Sequence, residues 1–331
     1  MEIAVVGGGS MGSNHVRALS RLDEVHVAGV VDVDLQRAQA LADRHGTSAF
    51  ASVEDLLTCC TPGRDLHGCV VATPTLSHLP IASQLIEAGV AVLVEKPAAA
   101  SAAEAQELGR LSESYGVPMM VGHIERFNPV VRELAGADFE GPTHIDIRRV
   151  GPFTPRIHDD VVVDLMIHDL DIVRFLTGSN VVDVQAVGKP VLSEVCDLAV
   201  ALLTLESGTT VSLMASRLGQ KKQRQLDLTF EDHFVRCDLL HQSVLVQRGQ
   251  QGGLTTEGFG FQQTMNEEIR YLENRAEPLV SELSAFVATI RSGDTPPVTI
   301  ADGVEALRQV ERVRAVIGKA IDSGVGTGPL G

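Results

Sequence analysis

The chain has 331 residues, enough for two domains with a core each. It is 44% apolar and 21% charged, with no tryptophan, which is the make-up of an ordinary globular protein. Its 27 Lys and Arg against 43 Asp and Glu leave a formal charge of −16, which argues against nucleic acid or an anionic membrane as the principal partner. A local basic cluster can still oppose that sign, and Lys221, Lys222 and Arg224 are either such a cluster or a solvated loop. The five cysteines form no CxxC, and their odd number fits free thiols in a reducing compartment. Met1–Val6 lacks a basic lead-in and stops at Gly7, so it does not read as a signal peptide. No run of about eighteen apolar residues appears, and a cytoplasmic protein is expected.

From residue 1 to 121, short apolar runs alternate with amphipathic stretches. The runs Ile3–Val6, Val25–Val31, Gly68–Ala72, Val90–Val94 and Val117–Val121 read as strands. Leu35–His45, His78–Ala88 and Ala102–Tyr115 read as helices between them, and Gly89 and Gly116 as helix ends. This is the rhythm of a parallel, doubly wound sheet. Beyond residue 122 a helix over 161–176 precedes strand-like runs at Val181–Val187, Cys196–Glu206, Thr209–Arg217, Gln223–Phe230, His233–Leu239 and Ser243–Gln247. Ser207-Gly208 and Glu231-Asp232 read as hairpin turns, so this sheet is expected to be antiparallel. Helices follow at 278–292 and 302–321, the second with Asp302 as its expected cap. The expected division is a nucleotide-binding domain at 1–121, an α/β substrate domain at 122–322 and a loose tail at 323–331.

Gly7, Gly9 and Gly12 form GxGxxG, with Ser10 and Met11 inside it. Such a turn lets the backbone approach a pyrophosphate, and the free N–H groups of the next helix favour its charge. The motif is weak alone. Here it follows an N-terminal strand, and Asp32 stands twenty residues beyond Gly12, at the end of the second strand. That context predicts dinucleotide binding. A carboxylate at Asp32 would accept the ribose hydroxyls and repel a 2′-phosphate, which favours NAD over NADP; the plain alternative is a helix cap. Thr73 and Pro74 follow the strand Gly68–Ala72, where they either lie along the cofactor or form a proline-fixed turn with Ser77 as cap.

Lys96 follows the run Val90–Val94 within Glu95-Lys96-Pro97, at the sheet edge where the nicotinamide half of the cofactor is expected. It is either a reactive amine there or a surface lysine after a strand. Glu95 either holds its ammonium or positions the loop. Asp164, His168 and Asp171 fall at i, i+4 and i+7, on one face of an otherwise apolar helix. The plain alternative is a cap and a satisfied core histidine. A metal site is a third reading. None is expected, because hydride transfer between carbon atoms needs no metal and no further histidine pair is present.

These pieces occur in one order: GxGxxGxxH (Gly7, Gly9, Gly12, His15), Thr73-Pro74 with His78, Glu95-Lys96-Pro97, and Asp164-x-x-x-His168-x-x-Asp171. Together they resemble the Gfo/Idh/MocA oxidoreductases along essentially the whole chain. The resemblance implies a Rossmann domain followed by an α/β domain with an open, mostly antiparallel sheet, and assembly as dimers or tetramers through the sheet face. It implies hydroxyl–carbonyl redox chemistry on a sugar or polyol, with His168 as general base, Lys96 on the same oxygen and Asp164 orienting the pair. Gly7, Gly9, Ser10, Met11, Gly12, Asp32, Thr73, Pro74, His78, Glu95 and Lys96 would serve the cofactor. Lys96, Asp164 and His168 would meet the substrate; Arg126, Asn128, Arg149 and Arg156 either hold its hydroxyls or a diphosphate or are structural arginines and turn residues, and Tyr271 and Asn274 are lesser candidates. The stretches at 122–129 and 164–171 resemble the branch containing UDP-N-acetylglucosamine 3-dehydrogenases, whose products go to an aminotransferase. The lead-in Asp159-Asp160-Val161-Val162-Val163 departs from the glycine-rich family pattern. Alternatives are an aminoglycoside, free-sugar or inositol dehydrogenase, a ketone or imine reductase, and an NAD-binding regulator without turnover.

Overall fold

The computed structural model describes residues 1–136, 141–154, 159–254, 261–272 and 275–322, without the side chains of 250–265 and 320–322. Arg156, Asn274 and the expected tail at 323–331 lie outside the described residues. The chain forms two compact units: Met1–Phe127 with Ala276–Arg308, and Asn128–Arg275 with the chain from Gln309 onward.

The first unit begins with β1 (Glu2–Val6), α1 (Ser10–Leu19), β2 (His26–Val31), α2 (Leu35–His45), β3 (Ser48–Phe50) and α3 (Val53–Cys59). It continues with β4 (Gly68–Val71), α4 (His78–Glu87), β5 (Ala91–Glu95), α5 (Ala102–Tyr115) and β6 (Met119–Gly122). Side chains cap three of these helices: Asp34 accepts from the Arg37 N–H, Ser52 from Asp55 and Ser101 from Glu104. The strands pair in parallel in the order β3-β2-β1-β4-β5-β6, the Rossmann arrangement. β4 and β5 are buried along their whole lengths, which is why they read as unbroken apolar runs. Val6 pairs with Val31 and with Val71, and Val71 pairs with Val94. Gly7, Asp32, Ala72 and Glu95 therefore share the carboxyl edge of one sheet.

The second unit holds α6 (Pro129–Gly136), β7 (His144–Val150), a wide π turn (Val162–Met166) and α7 (Ile167–Thr177). Seven strands follow: β8 (Val181–Lys189), β9 (Leu198–Leu205), β10 (Thr210–Ser216), β11 (Gln223–Thr229), β12 (His233–Asp238), β13 (Ser243–Leu254) and β14 (Phe261–Arg270). The sheet order is β14-β13-β12-β11-β7-β10-β9-β8. β7 and β10 run parallel and the remaining neighbours antiparallel. The turns at Ser207-Gly208 and Glu231-Asp232 join antiparallel partners, as the sequence predicts. The short elements β3 and α3 and the strands β7 and β14 are additions to the sequence reading. β7 contains a partial alternation, with Ile145 and Ile147 buried, but its His, Asp and Arg residues dilute the signal.

α8 (Pro278–Ser292) and α9 (Ile300–Asp322) close the described chain. The sequence reading assigns both to the second domain, yet α8 and the first turns of α9 belong to the first unit. Leu279, Leu283, Phe286, Val298, Val304 and Leu307 join the core built on β1, β4 and β5. A parallel sheet needs cover on both faces, and α8 supplies part of it. Gly68 gives the room: a Cβ there would lie 2.7 Å from Ile290 and 3.1 Å from the Phe286 ring. The cap of α9 is Thr299, not Asp302: the Asp302 N–H donates to Thr299 Oγ1, and the Asp302 carboxylate accepts the Thr299 N–H in return. Among the described residues no helix is long and apolar enough to cross a membrane.

Phe286 is fully buried. Phe286→Ala is expected to cost about 3–5 kcal/mol of stability, measured by urea unfolding of the whole chain. A loss under about 1 kcal/mol would mean that α8 does not cover the sheet as described.

Candidate active site

At the sheet edge the chain turns sharply from β1 into α1. Gly7 has φ +104°, and a Cβ there would lie 2.4 Å from the Ala72 carbonyl oxygen. A Cβ on Gly12 would lie 1.7 Å from the Gly7 oxygen, so only glycine lets α1 start this close to β1. A Cβ on Gly9 would meet nothing within 4 Å, and Ser10 and Met11 are exposed. Gly9 caps α1 without a side-chain bond, leaving the first N–H groups to face an anion. Asp32 finishes the turn. Its Oδ2 accepts the Gly8 N–H at 2.7 Å and its Oδ1 the Asp34 N–H at 2.9 Å. Asp34, not Asp32, caps α2, which removes the plain alternative for Asp32. Arg37 Nη1 stands 3.6 Å from Asp32 Oδ2, a neighbour that sequence spacing did not reveal. An open glycine approach, an uncapped helix start and a carboxylate at the second strand end fit a bound dinucleotide.

Thr73 and Pro74 leave β4 at the same edge, and Thr73 Oγ1 is buried with no hydrogen-bond partner. Ser77 makes no capping bond. His78 is 1% exposed, and its ring nitrogens each stand 2.9 Å from a backbone carbonyl oxygen, of Thr73 and of Pro97. The ring thus ties the loop after β4 to the loop after β5. Burial lowers its pKa below the ordinary histidine value, against the opposing effect of those carbonyls and the Glu95 charge.

Glu95 is the last residue of β5 and is 8% exposed. Its Oε1 lies 2.7 Å from His15 Nε2, and its Oε2 accepts the Lys96 backbone N–H at 3.1 Å. Glu95 therefore positions the loop, one of the two roles that the sequence leaves open for it. Burial pushes its carboxyl up, but the His15 hydrogen bond and charge, the Lys96 charge and the Lys96 N–H outweigh that and hold it low. Lys96 itself is half-buried. His15, one turn into α1, is fully buried, so the fourth position of GxGxxGxxH works from inside.

In the second unit Asp164 lies in the π turn and His168 in the first turn of α7, both half-buried, while Asp171 is buried. A π turn in place of α-helix alters the simple i, i+4 face that the sequence suggests. Arg217, just past β10, is a residue that the sequence reading passed over. Its guanidinium is 4% exposed, lies 3.8 Å from Asp164 Oδ2 and donates to the Asp159 carbonyl. Arg149 is buried against Asp169, with Nε and Nη2 at 2.8 and 2.7 Å from one carboxylate oxygen. Asn128 donates to the Leu239 carbonyl and accepts the Val130 N–H. In the first unit Arg126 is 7% exposed and pairs with Asp302 at 3.1 Å. These three expected substrate contacts thus all hold their own units together. Tyr271 is 82% exposed. Arg224 donates to the Val150 carbonyl, so one member of the basic cluster braces a strand end.

Residues 1–123 match the family model described as "Oxidoreductase family, NAD-binding Rossmann fold", and residues 140–234 match "GFO/IDH/MocA C-terminal domain". A UDP-N-acetylglucosamine 3-dehydrogenase of Acidithiobacillus ferrooxidans is 34% identical over 245 residues, covering 74% of this chain and 76% of that protein. A solved structure of that organism's UDP-N-acetylglucosamine 3-dehydrogenase GnnA superposes with TM-score 0.86 at 30% identity, over 96% of this chain and 98% of its own. Myo-inositol dehydrogenase Hyg17 of Streptomyces leeuwenhoekii is 32% identical over 66% of this chain and 70% of that protein. On this ground, and on the glycine turn, Asp32 and Glu95-Lys96-Pro97, the chain belongs to the Gfo/Idh/MocA family of oxidoreductases with an NAD-binding Rossmann fold.

Proposed function

We propose that the protein is an NAD-dependent dehydrogenase that oxidises a ring secondary hydroxyl of a sugar, at C3 of a UDP-linked pyranose. The observation that carries this reading is Lys96: a half-buried amine whose backbone is held by Glu95 at the carboxyl edge of a dinucleotide-type sheet. The 34% identity to a UDP-N-acetylglucosamine 3-dehydrogenase supports the substrate class. A bound nicotinamide dinucleotide would supply the hydride acceptor, held by the Gly7–Gly12 turn, Asp32 and the loop at Thr73 and Pro74.

The chain's own residues would handle the proton. His168 takes it from the hydroxyl as general base, and Lys96 donates a hydrogen bond to the same oxygen and stabilises its developing charge. Asp164, itself beside Arg217, orients them. Arg126, Asn128 and Arg149 would shape the substrate region through the contacts already described, and direct substrate contact falls to Lys96, Asp164 and His168. A second reading, oxidation of an inositol or free sugar, is favoured by the 32% identity to a myo-inositol dehydrogenase. A ketone product would suit a following aminotransferase. Val187 and Leu202 stand exposed on one face of the second sheet, which supports a homodimer or homotetramer closed over that face.

NADH formation with UDP-N-acetylglucosamine, UDP-glucose and myo-inositol separates the two readings. Turnover of a UDP-sugar supports the first, and turnover of myo-inositol alone overturns it in favour of the second. His168→Ala is expected to slow single-turnover hydride transfer roughly 10²–10⁴-fold while NAD affinity holds. Lys96→Ala should cost more. Equal single-turnover rates in wild type and both variants would remove the assignment. By calorimetry NAD should bind more tightly than NADP. Asp32→Asn weakens the charge-assisted bonds that order the turn, so it should lower NAD affinity by about 1.5–3 kcal/mol. With Arg37 still in place, its preference over NADP should narrow. An unchanged preference would mean that Asp32 does not read the ribose.

A further inference from the structure

The first unit contains a cluster of which the proposed reaction draws directly only on Glu95. α1, the end of β5 and α8 bring His15, Glu95 and Glu282 together, with one ring nitrogen and one oxygen of each carboxyl all within 4.8 Å of one another. His15 and Glu282 are fully buried. Glu95 spends one oxygen on His15 Nε2 and the other on the Lys96 N–H. Both Glu282 oxygens and His15 Nδ1 have no hydrogen-bond partner. Two carboxylates this close in a dry interior do not both stay ionised. Glu282 must therefore be neutralised, by a proton or by a metal ion. A metal such as zinc would need ligand atoms at about 2.0–2.2 Å and a fourth donor, with the His15 Nε2–Glu95 proton displaced. A proton needs none of this: a Glu282 O–H can donate to a free lone pair of Glu95 or to His15 Nδ1.

We infer that Glu282 is a positioning residue for Lys96, a proton-bearing carboxylic acid that, with His15, fixes the Glu95 carboxylate on which the Lys96 backbone hangs. The role deepens the dehydrogenase reading and rests on it only for the part played by Lys96 in turnover. Burial, and after it the Glu95 charge, push the Glu282 carboxyl well above its ordinary value, in agreement with the geometry. Among the described residues, these other charged groups lie on or near the elements around the cluster. Lys96 acts on Glu95, and Glu95 on His78 of α4. On the elements packed around it, Arg17 and Arg21 pair with Glu277, Arg291 with Glu24, and Arg126 with Asp302; Glu125 lies on the turn against α8.

The sign of the pH dependence follows. The folded chain keeps a Glu282 proton that the unfolded chain releases above 4.5. Stability from this site is therefore full below that value and is lost as pH rises toward the folded pKa. Gln cannot titrate, but its N–H can donate as the acid does. The melting temperature of Glu282→Gln relative to wild type should therefore climb as pH is raised from acid to neutral. A flat or closing gap, or stoichiometric metal in the purified protein by elemental analysis, would overturn the proposal. The second arm reads Lys96 without turnover, by its labelling with an amine-directed acylating reagent and mass spectrometry. Glu282→Leu should change that labelling, while Glu282→Gln stays close to wild type. With a substrate, Glu282→Leu should lower kcat about ten- to a hundredfold with NAD affinity retained, and Glu282→Gln should keep most of the rate. Labelling in Glu282→Leu equal to wild type would make Glu282 a packing residue only and sink the positioning role. Should no sugar turn over, the melting and labelling arms still decide the question, so failure of the dehydrogenase reading is told apart from failure of this one.

Discussion

A charged carboxylate at the end of a buried strand must be answered by donors, and much of the first unit follows from that demand at Glu95. Burying it alone would cost several kcal/mol. His15 answers from α1 and the Lys96 N–H from the next residue of the chain. For His15 to reach it, α1 must start close to β1, and Gly12 allows that approach. The glycine turn thus serves two ends: it leaves the start of α1 without a side-chain cap, and it seats the histidine that holds the lysine-bearing loop. Glycine at position 12 and histidine at position 15 are two sides of one packing constraint.

The parallel sheet turns this local arrangement into a site. Its register brings the ends of β1, β2, β4 and β5 to one edge, so Asp32, Thr73 and Lys96 share it despite wide separation in sequence. His78 then locks two of those loops through their carbonyl oxygens. These tethers set where the groups on those loops can stand.

The second unit spends its buried charge differently. Arg149 and Asp169 form an ion pair inside it, and such a pair holds position more than it adds stability. Asp169 directly follows His168, so the pair anchors the start of the helix that bears the expected base. Arg149, one of the candidate substrate contacts in the sequence, is paired this way because arginine and aspartate are rarely buried unless paired.

Local chemistry in the sequence made much of the fold legible. Apolar runs marked the buried strands, glycine spacing marked the nucleotide turn, and Ser207-Gly208 and Glu231-Asp232 marked the hairpins. Asp32 and the Glu95-Lys96-Pro97 segment were readable because each sits at the end of a strand. What periodicity could not supply was pairing across long separations. β7 carries too many charged residues to announce itself, and α8 looks the same whichever sheet it covers. The sequence by itself determined most of the strands and helices and singled out the short motifs expected to carry chemistry, because those depend on neighbours a few residues apart. Only the tertiary structure decided that α8 returns to the first sheet and that Glu282 meets Glu95 and His15. Those outcomes depend on which buried groups must find a partner, and the partner lies far away along the chain.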